Sequence, residues 1–242
     1  MNIAIILSGG VGSRMKCETP KQYIEANGHP IIYYCIKTFL RSSIIDIIII
    51  GLSEEWRPLV ASLIDELTPS KPIWFSKAGE TRQYSIYNAL KEAQIHHAAM
   101  DDVVIIHDAA RPLVSLNLIE DCLDGCREAE GVLPVIPVKD TLYRSVDGCH
   151  ISNLLNRQEL FAGQAPEAFR FGRYLALHEQ MTREELLKIN GSTEIAYKGG
   201  MSIKLIKGDE MNFKITTPED LSNFESIIKT KNNESLRTTS GE

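Results

Sequence analysis

The opening of the chain concentrates residue types that can hold phosphate. Ser8-Gly9-Gly10-Val11-Gly12-Ser13-Arg14-Met15 is followed by Thr19-Pro20-Lys21-Gln22. Glycine reaches φ > 0 and lets backbone N–H groups approach a ligand closely. Successive N–H groups in such a loop make a cradle for anions. Arg14 inside the loop and Lys21 just after it add two cations. Cations beside such a cradle suit a triphosphate and the charge that builds up in transfer. The loop lacks the third glycine of G-x-G-x-x-G and the Lys-Ser/Thr ending of a P-loop, so neither fingerprint is matched.

Two further groups lie far along the chain. Asp108 ends the apolar run Val103 to His107. A carboxylate there suits Mg²⁺, which is bound through one or two carboxylates plus substrate phosphates, or it simply caps the next turn. Arg111 could contact a phosphate or pair with Asp108. Lys214 lies between Phe213 and Ile215, which suggests a short strand carrying one cation.

These groups need a scaffold. The apolar run Ile3 to Leu7 reads as a buried strand by length and β-branching. The nearly unbroken isoleucine run Ile44 to Gly51 suits a central parallel strand buried on both faces. Further strands are expected at 73–75, 103–107 and 132–138, with helices at 31–39, 55–67, 81–93 and 117–130 between them. The alternation predicts an α/β fold with a doubly wound, mostly parallel sheet. In such sheets ligands sit beyond the carboxyl ends of the strands. The glycine loop, Gly79-Glu80 and Asp108 each follow a strand and could converge on one crevice.

The rhythm breaks between Lys139 and Phe161. Two apolar stretches flank Asp147-Gly148, a hairpin signal that predicts a protruding arm over about 139–161. Helices near 171–181 and 183–188 and a strand at 203–206 follow. Thr217-Pro218-Glu219-Asp220 is a helix start, with Pro at the first helical position and acids in the first turn. That helix is expected to reach about Ile228, leaving 229–242 as a polar disordered tail after a single domain over 1–228.

Composition narrows the function classes. The 242 residues are 43% hydrophobic and 24% charged, enough for a sizeable core. A net charge of −6 argues against a general nucleic-acid surface. Cys17, Cys35, Cys122, Cys126 and Cys149 are odd in number and do not suggest a disulfide framework. The first apolar run is too short for a signal peptide, and no run could span a bilayer. The expected protein is soluble, cytoplasmic and without membrane or nucleic-acid partners. The six histidines form no obvious metal set.

The opening loop, together with Gly79-Glu80-Thr81-Arg82-Gln83-Tyr84-Ser85, His107-Asp108-Ala109-Ala110-Arg111-Pro112, Pro137-Val138-Lys139-Asp140-Thr141, Gly163-Gln164-Ala165-Pro166-Glu167 and Asn212-Phe213-Lys214, resembles the sugar- and polyol-phosphate cytidylyltransferases. The resemblance covers nearly the whole chain, in order. It implies CTP plus a polyol phosphate giving a CDP-polyol and pyrophosphate, with Mg²⁺ on Asp108. It makes Arg14, Lys21 and Lys214 the catalytic cations. It places Leu7, Gly9, Gly10, Gly12, Gly79, Arg82, Ser85, Ala109 and Arg111 around the nucleotide. Asp108, Lys139, Arg157, Asn190 and Thr193 would take the acceptor, with Arg157 reaching into the neighbouring subunit of a homodimer through the arm.

The chain departs from the family on the acceptor side. A usual Thr-Asp is here Asn190-Gly191, and a usual Gln-Thr-Pro-Gln is Gln164-Ala165-Pro166-Glu167. Met211, where the methylerythritol branch tends to have an acid, and Phe161-Ala162-Gly163-Gln164 lean toward the ribitol-phosphate branch. The competing readings are a methylerythritol-phosphate enzyme and, from another class, a catalytically weak nucleotide-binding subunit.

Overall fold

The computed structural model describes residues 1–10 and 19–239. Four parallel strands form one half of the main sheet: β1 (Asn2–Leu7), β4 (Ile47–Leu52), β5 (Ile73–Lys77) and β6 (Val103–Asp108), side by side in the order β5-β4-β1-β6. The short strands β2 (Glu25–Ala26) and β3 (His29–Pro30) pair separately as an antiparallel turn. Their turn lies at Asn27-Gly28, both with positive φ, as the turn signal there predicts.

Each strand of this half alternates its side chains between the two faces, as strand geometry requires. Ala4, Ile6, Ile48, Ile50 and Ile105 face one cluster, while Ile3, Ile5, Ile47, Ile49, Val104 and Ile106 face the other. Helices α1 (Ile31–Arg41), α2 (Arg57–Leu67) and α4 (Leu116–Gly125) cover the first face through Ile36, Phe39, Val60 and Ile119. Helices α3 (Arg82–Ile95), α5 (Phe171–Gln180), α6 (Arg183–Lys188) and α7 (Ser192–Lys198) cover the second through Ile86, Leu90, Tyr174, Leu186 and Ile195. A strand apolar on both faces is the pattern of a sheet sandwiched between helix layers, so the expected architecture is observed.

The second half of the sheet is mixed. Strand β7 (Gly131–Pro137) does not lie directly against β6. Strand β11 (Glu167–Arg170) is inserted between them and runs antiparallel to both. Strand β10 (Phe161–Gly163) pairs antiparallel with β7, and β12 (Ile203–Lys207) pairs with it in parallel. Neither β10, β11 nor α7 was expected from the sequence pattern.

Four boundaries differ from expectation. The isoleucine strand begins at Ile47, because Ile44 instead accepts a hydrogen bond on its carbonyl from the Asn2 side chain. Helix α4 stops at Gly125 rather than running to Glu130, and tight three-residue turns at Cys126 and Arg127 replace it. Phe213-Lys214-Ile215 joins no strand; it is irregular chain fixed by the Ile215 amide donating to the Ala110 carbonyl at 2.8 Å. The last helix, α8 (Pro218–Thr239), runs well past Ile228, so 229–239 is helical rather than a disordered tail.

The predicted hairpin is present as a two-stranded ribbon, β8 (Tyr143–Arg144) and β9 (Asn153–Leu154), paired antiparallel. Asp147 closes its turn, accepting from the amides of Cys149 and His150 at 2.9 and 2.8 Å. The ribbon is exposed throughout.

Candidate active site

The carboxyl ends of β1, β4, β5 and β6 open into a cavity of about 520 Å³. Leu7, Gly9, Gly10, Lys21, Gly79, Arg82, Ser85, Asp108 and Lys214, all named from sequence, line it together with Gln22, Ser53, Glu80, Thr81 and Thr216. Arg14 and Gly12 lie outside the described residues.

The glycine-loop wall is built by local packing. Gln22 donates from one amide nitrogen to the carbonyls of Ser8 and Gly10, both at 2.8 Å. The Ser8 hydroxyl donates to the Tyr23 oxygen, which in turn donates to the Ser8 carbonyl. Tyr23 stacks on Trp56 with ring centroids 4.3 Å apart, so the 3-10 turn Lys21–Tyr23 is held on both sides and Lys21 is presented at the rim. A Cβ on Gly9 would come within 2.5 Å of the Ala78 Cβ, and a Cβ on Gly79 would collide with Tyr84. Gly9 is therefore required by the close approach of the loops after β1 and β5, and Gly79 by the fold of its loop against the first turn of α3. Ser85 accepts from the Gly79 amide at 2.9 Å and donates to the Thr81 carbonyl at 3.0 Å, shaping that loop around the start of α3. Thr81 caps α3 through the Tyr84 amide.

The opposite wall is an ionic network centred on Asp108. Arg82 places Nε and Nη2 on Asp108 Oδ1 at 3.1 and 3.0 Å, and Lys214 places Nζ on Oδ2 at 2.7 Å. Burial pushes the Asp108 carboxyl up, but Arg82 and then Lys214 outweigh it and hold the group well below the usual carboxylate range. Burial alone would lower the Arg82 guanidinium; Asp108 and Glu167 reverse that and hold it firmly charged. Lys214 reaches this position because its neighbours Phe213 and Ile215 are anchored in a small cluster with Ala26, Ile31 and Phe224 of α8, which leaves the residue between them facing the cavity.

Behind Arg82 stands Glu167, at the start of β11, with a side chain 11% exposed. Its Oε1 accepts from the Ser192 hydroxyl at 2.7 Å and lies 3.5 Å from Arg82 Nη2; its Oε2 accepts from Thr193 at 2.6 Å. Ser192 in turn accepts from Arg82 Nη1 at 2.5 Å. Thr193, predicted at the acceptor, thus joins this network, whereas Asn190 is exposed and contributes its amide to Glu194.

Two predicted nucleotide contacts lie outside the cavity. Ala109 is buried, its amide donating to the Leu7 carbonyl as part of the sheet. Arg111 turns away and donates from Nη1 to the Asn212 carbonyl at 2.6 Å; burial lowers its pKa, an effect Asp108 opposes. It supports the chain leading to Lys214, since Asn212 also donates to the Ala165 carbonyl at 2.6 Å. His107 is buried and donates from Nε2 to the Arg111 carbonyl at 2.9 Å, and burial pushes its pKa down to about 4. Lys139 and Arg157 sit on the exposed arm: Lys139 pairs with Glu210 at 2.6 Å and Arg157 donates to the Lys139 carbonyl at 2.9 Å. Cys122 and Cys126 are buried in the core. Among the described residues no cluster of three or more His, Cys, Asp or Glu could hold a metal on protein ligands alone.

Glu167, Ser192 and Asn212 are site residues that sequence reasoning did not assign. Glu167 carried a signal, as a departure from the Gln-Thr-Pro-Gln pattern; Asn212 stood inside a quoted motif without a role of its own, and Ser192 carried no signal beyond its place beside Asn190-Gly191.

Comparison with known proteins identifies the family. Residues 2–230 match the family described as IspD, 2-C-methyl-D-erythritol 4-phosphate cytidylyltransferase. A relative of that name from Clostridium perfringens is 35% identical over 228 residues, covering 94% of this chain and 98% of the relative. A ribitol-5-phosphate cytidylyltransferase from Streptococcus agalactiae is 29% identical over 237 residues, covering 98% of this chain and 99% of the relative. The crystal structure of a 4-diphosphocytidyl-2C-methyl-D-erythritol synthase from Anaerococcus prevotii matches the fold with a TM-score of 0.79 at 24% identity, over 94% of this chain and 96% of that one. With its sheet, its glycine-loop wall and its Asp108 network all accounted for, this chain belongs to the IspD family of cytidylyltransferases.

Proposed function

We propose that the protein transfers CMP from CTP to a polyol phosphate of the ribitol 5-phosphate type, releasing pyrophosphate. The observation that carries this reading is the convergence of Lys21, Arg82 and Lys214 on one cavity around a single buried carboxylate, Asp108. Among the described residues no nucleophilic side chain of that cavity is paired with a base, and none is needed. An oxygen of the acceptor phosphate forms a bond to the α-phosphorus of CTP. The bond from that phosphorus to the α–β bridging oxygen breaks, and pyrophosphate leaves with the electron pair. Protein groups position two mutually repelling anions and offset the transition-state charge.

Each cation has a defined part. Lys21 and Arg14 take the triphosphate, and Lys214 faces the α-phosphate. The glycine loop and the Gly79–Ser85 turn enclose the nucleoside. Asp108 pairs with both Arg82 and Lys214. Phosphates entering the cavity compete for the same two cations.

Asp108 would hold Mg²⁺ together with substrate phosphates once those phosphates draw Arg82 or Lys214 off its two oxygens, both engaged here. When bound, the metal offsets charge on the triphosphate. The exposed arm and Arg157 suit a homodimer in which Arg157 completes the partner's acceptor pocket, and a cytoplasmic location follows from the phosphorylated substrates. No helix among the described residues is long and apolar enough to cross a membrane.

A second reading, with 2-C-methyl-D-erythritol 4-phosphate as acceptor, is supported by the higher identity to relatives of that name. Initial rates of pyrophosphate release with CTP, Mg²⁺ and each of ribitol 5-phosphate, methylerythritol 4-phosphate and glycerol 3-phosphate separate the two. The first reading expects the highest kcat/KM with ribitol 5-phosphate. Preference for methylerythritol 4-phosphate assigns the second, and no release with any acceptor leaves a nucleotide-binding subunit.

A further inference from the structure

The cavity's cationic wall has a second carboxylate that does not line it. Asp108 faces the cavity; Glu167 does not line it, and its two oxygens are engaged by Ser192, Thr193 and Arg82 Nη2, the nitrogen that also meets Asp108. Arg82 is thus held as a fork between two acids, with Nε and Nη2 on Asp108 and Nη1 on the Ser192 hydroxyl that Glu167 itself anchors. The anchors come from separate parts of the chain: α3 carries Arg82, β6 carries Asp108, β11 carries Glu167 and α7 carries Ser192 and Thr193. An ordinary structural contact would not need an ionised acid buried at this place. An amide of the same shape would keep the Ser192 bond through its oxygen and reverse the Thr193 bond, its NH2 group donating to the Thr193 hydroxyl. What the carboxylate adds is a negative charge beside Arg82 that does not line the cavity.

We infer that Glu167 is a positioning residue that sets the orientation of Arg82 and the anion affinity of the cavity. The inference rests on the reading of the cavity as a triphosphate and pyrophosphate site. Glu167 and Ser192 fix the plane of the guanidinium and hold its Nε–Nη2 edge on Asp108 at the cavity wall. Its charge also offsets part of the positive potential of Arg82 and Lys214, so that pyrophosphate is bound for transfer yet released afterwards. Without that charge the wall holds polyphosphate more tightly and turns over more slowly. Loss of packing alone predicts the opposite sign for affinity.

The test compares wild type, Glu167→Gln and Ser192→Ala. Inorganic pyrophosphate binding is measured by titration calorimetry, and kcat and KM for CTP are measured by pyrophosphate release. Removing one unit charge this close to the site should tighten pyrophosphate binding about tenfold in Glu167→Gln and lower kcat by a similar factor. Ser192→Ala keeps both carboxylates and breaks the bridge. It should lower kcat with pyrophosphate affinity within about twofold of wild type, since it changes no charge. Weaker or unchanged pyrophosphate binding in Glu167→Gln overturns the inference. So does the same pattern of change in both variants. Should Glu167→Gln not fold, unchanged kcat in Ser192→Ala overturns it and a lowered kcat at constant affinity supports it. If wild type transfers to no acceptor but Glu167→Gln still binds pyrophosphate more tightly, the reading of the reaction falls while the role of Glu167 stands.

Discussion

The protein carries its charge in two different ways. Around the cavity, Asp108, Glu167, Arg82 and Lys214 are partly or largely buried and share their partners. On the arm, Lys139 pairs with Glu210 and His150 with Asp147, all of them more than half exposed. Exposed pairs gain little because water screens them. Buried ones are strongly coupled, so that removing one partner leaves an uncompensated charge. The cavity is therefore a place where charge has been concentrated at a cost in desolvation, which is how a site for highly charged substrates is prepared. The arm is a solvated surface whose role depends on what it meets.

The largest expected effect is on catalysis. Lys21→Ala and Lys214→Ala should each lower kcat about 10²-fold or more, comparable with losing one oxyanion donor, in a pyrophosphate-release assay. The same change at Lys139 should not approach that value in a reaction run on the monomeric site alone.

Stability separates the two regions next. Asp108→Asn leaves Arg82 and Lys214 facing each other and should destabilise the fold by about 3 kcal/mol, read from the urea midpoint. Because the folded Asp108 carboxyl is held below its ordinary value, its stabilisation is present above about pH 3.9 and is lost as pH falls toward the lower folded value. The difference between wild type and Asp108→Asn should therefore persist from about pH 5 to 7, above the titration of an unfolded aspartate.

Buried histidines act in another window. Burial lowers His107 and His178 to about 4, so both stay neutral in the native state while the unfolded chain gains protons. Stability should fall as pH drops from about 6.5 to about 4, by on the order of 3 kcal/mol for each group, and level off below. His178→Gln cannot titrate and should remove about half of that slope. An unchanged slope would assign the pH dependence elsewhere.

The smallest effect belongs to the arm. Lys139→Ala should shift the urea midpoint by an amount equivalent to less than about 0.5 kcal/mol, as for other exposed pairs. A larger loss would mean that the arm is buried against something in solution.

What was legible in the sequence follows the same division between local and distant. The first four parallel strands were readable because burial on both faces leaves an apolar run, as in Ile47 to Ile50. Asp108 was readable because an acid directly after such a run has to lie at the strand's carboxyl end. Strand β11 was not, because four residues that cross between β6 and β7 leave no periodic signal of their own. Helix α7 is only seven residues long and lies between Gly191 and Gly199, so its pattern reads as loop. Glu167 and Ser192 meet Arg82 across 85 and 110 residues of chain. No spacing rule reaches that far, and only folding brings them together. Lys214 was found by its motif, while the reason it faces the cavity lies in the packing of Phe213, Ile215 and Phe224.

The most direct test of the central claim is pyrophosphate release by wild type and Lys214→Ala, side by side, with CTP, Mg²⁺ and saturating polyol phosphate. Wild type should turn over, with the variant slower by about 10²-fold and still folded by circular dichroism. Equal rates in the two proteins would contradict the assignment of the Asp108–Lys214 wall as the place where the α-phosphate reacts.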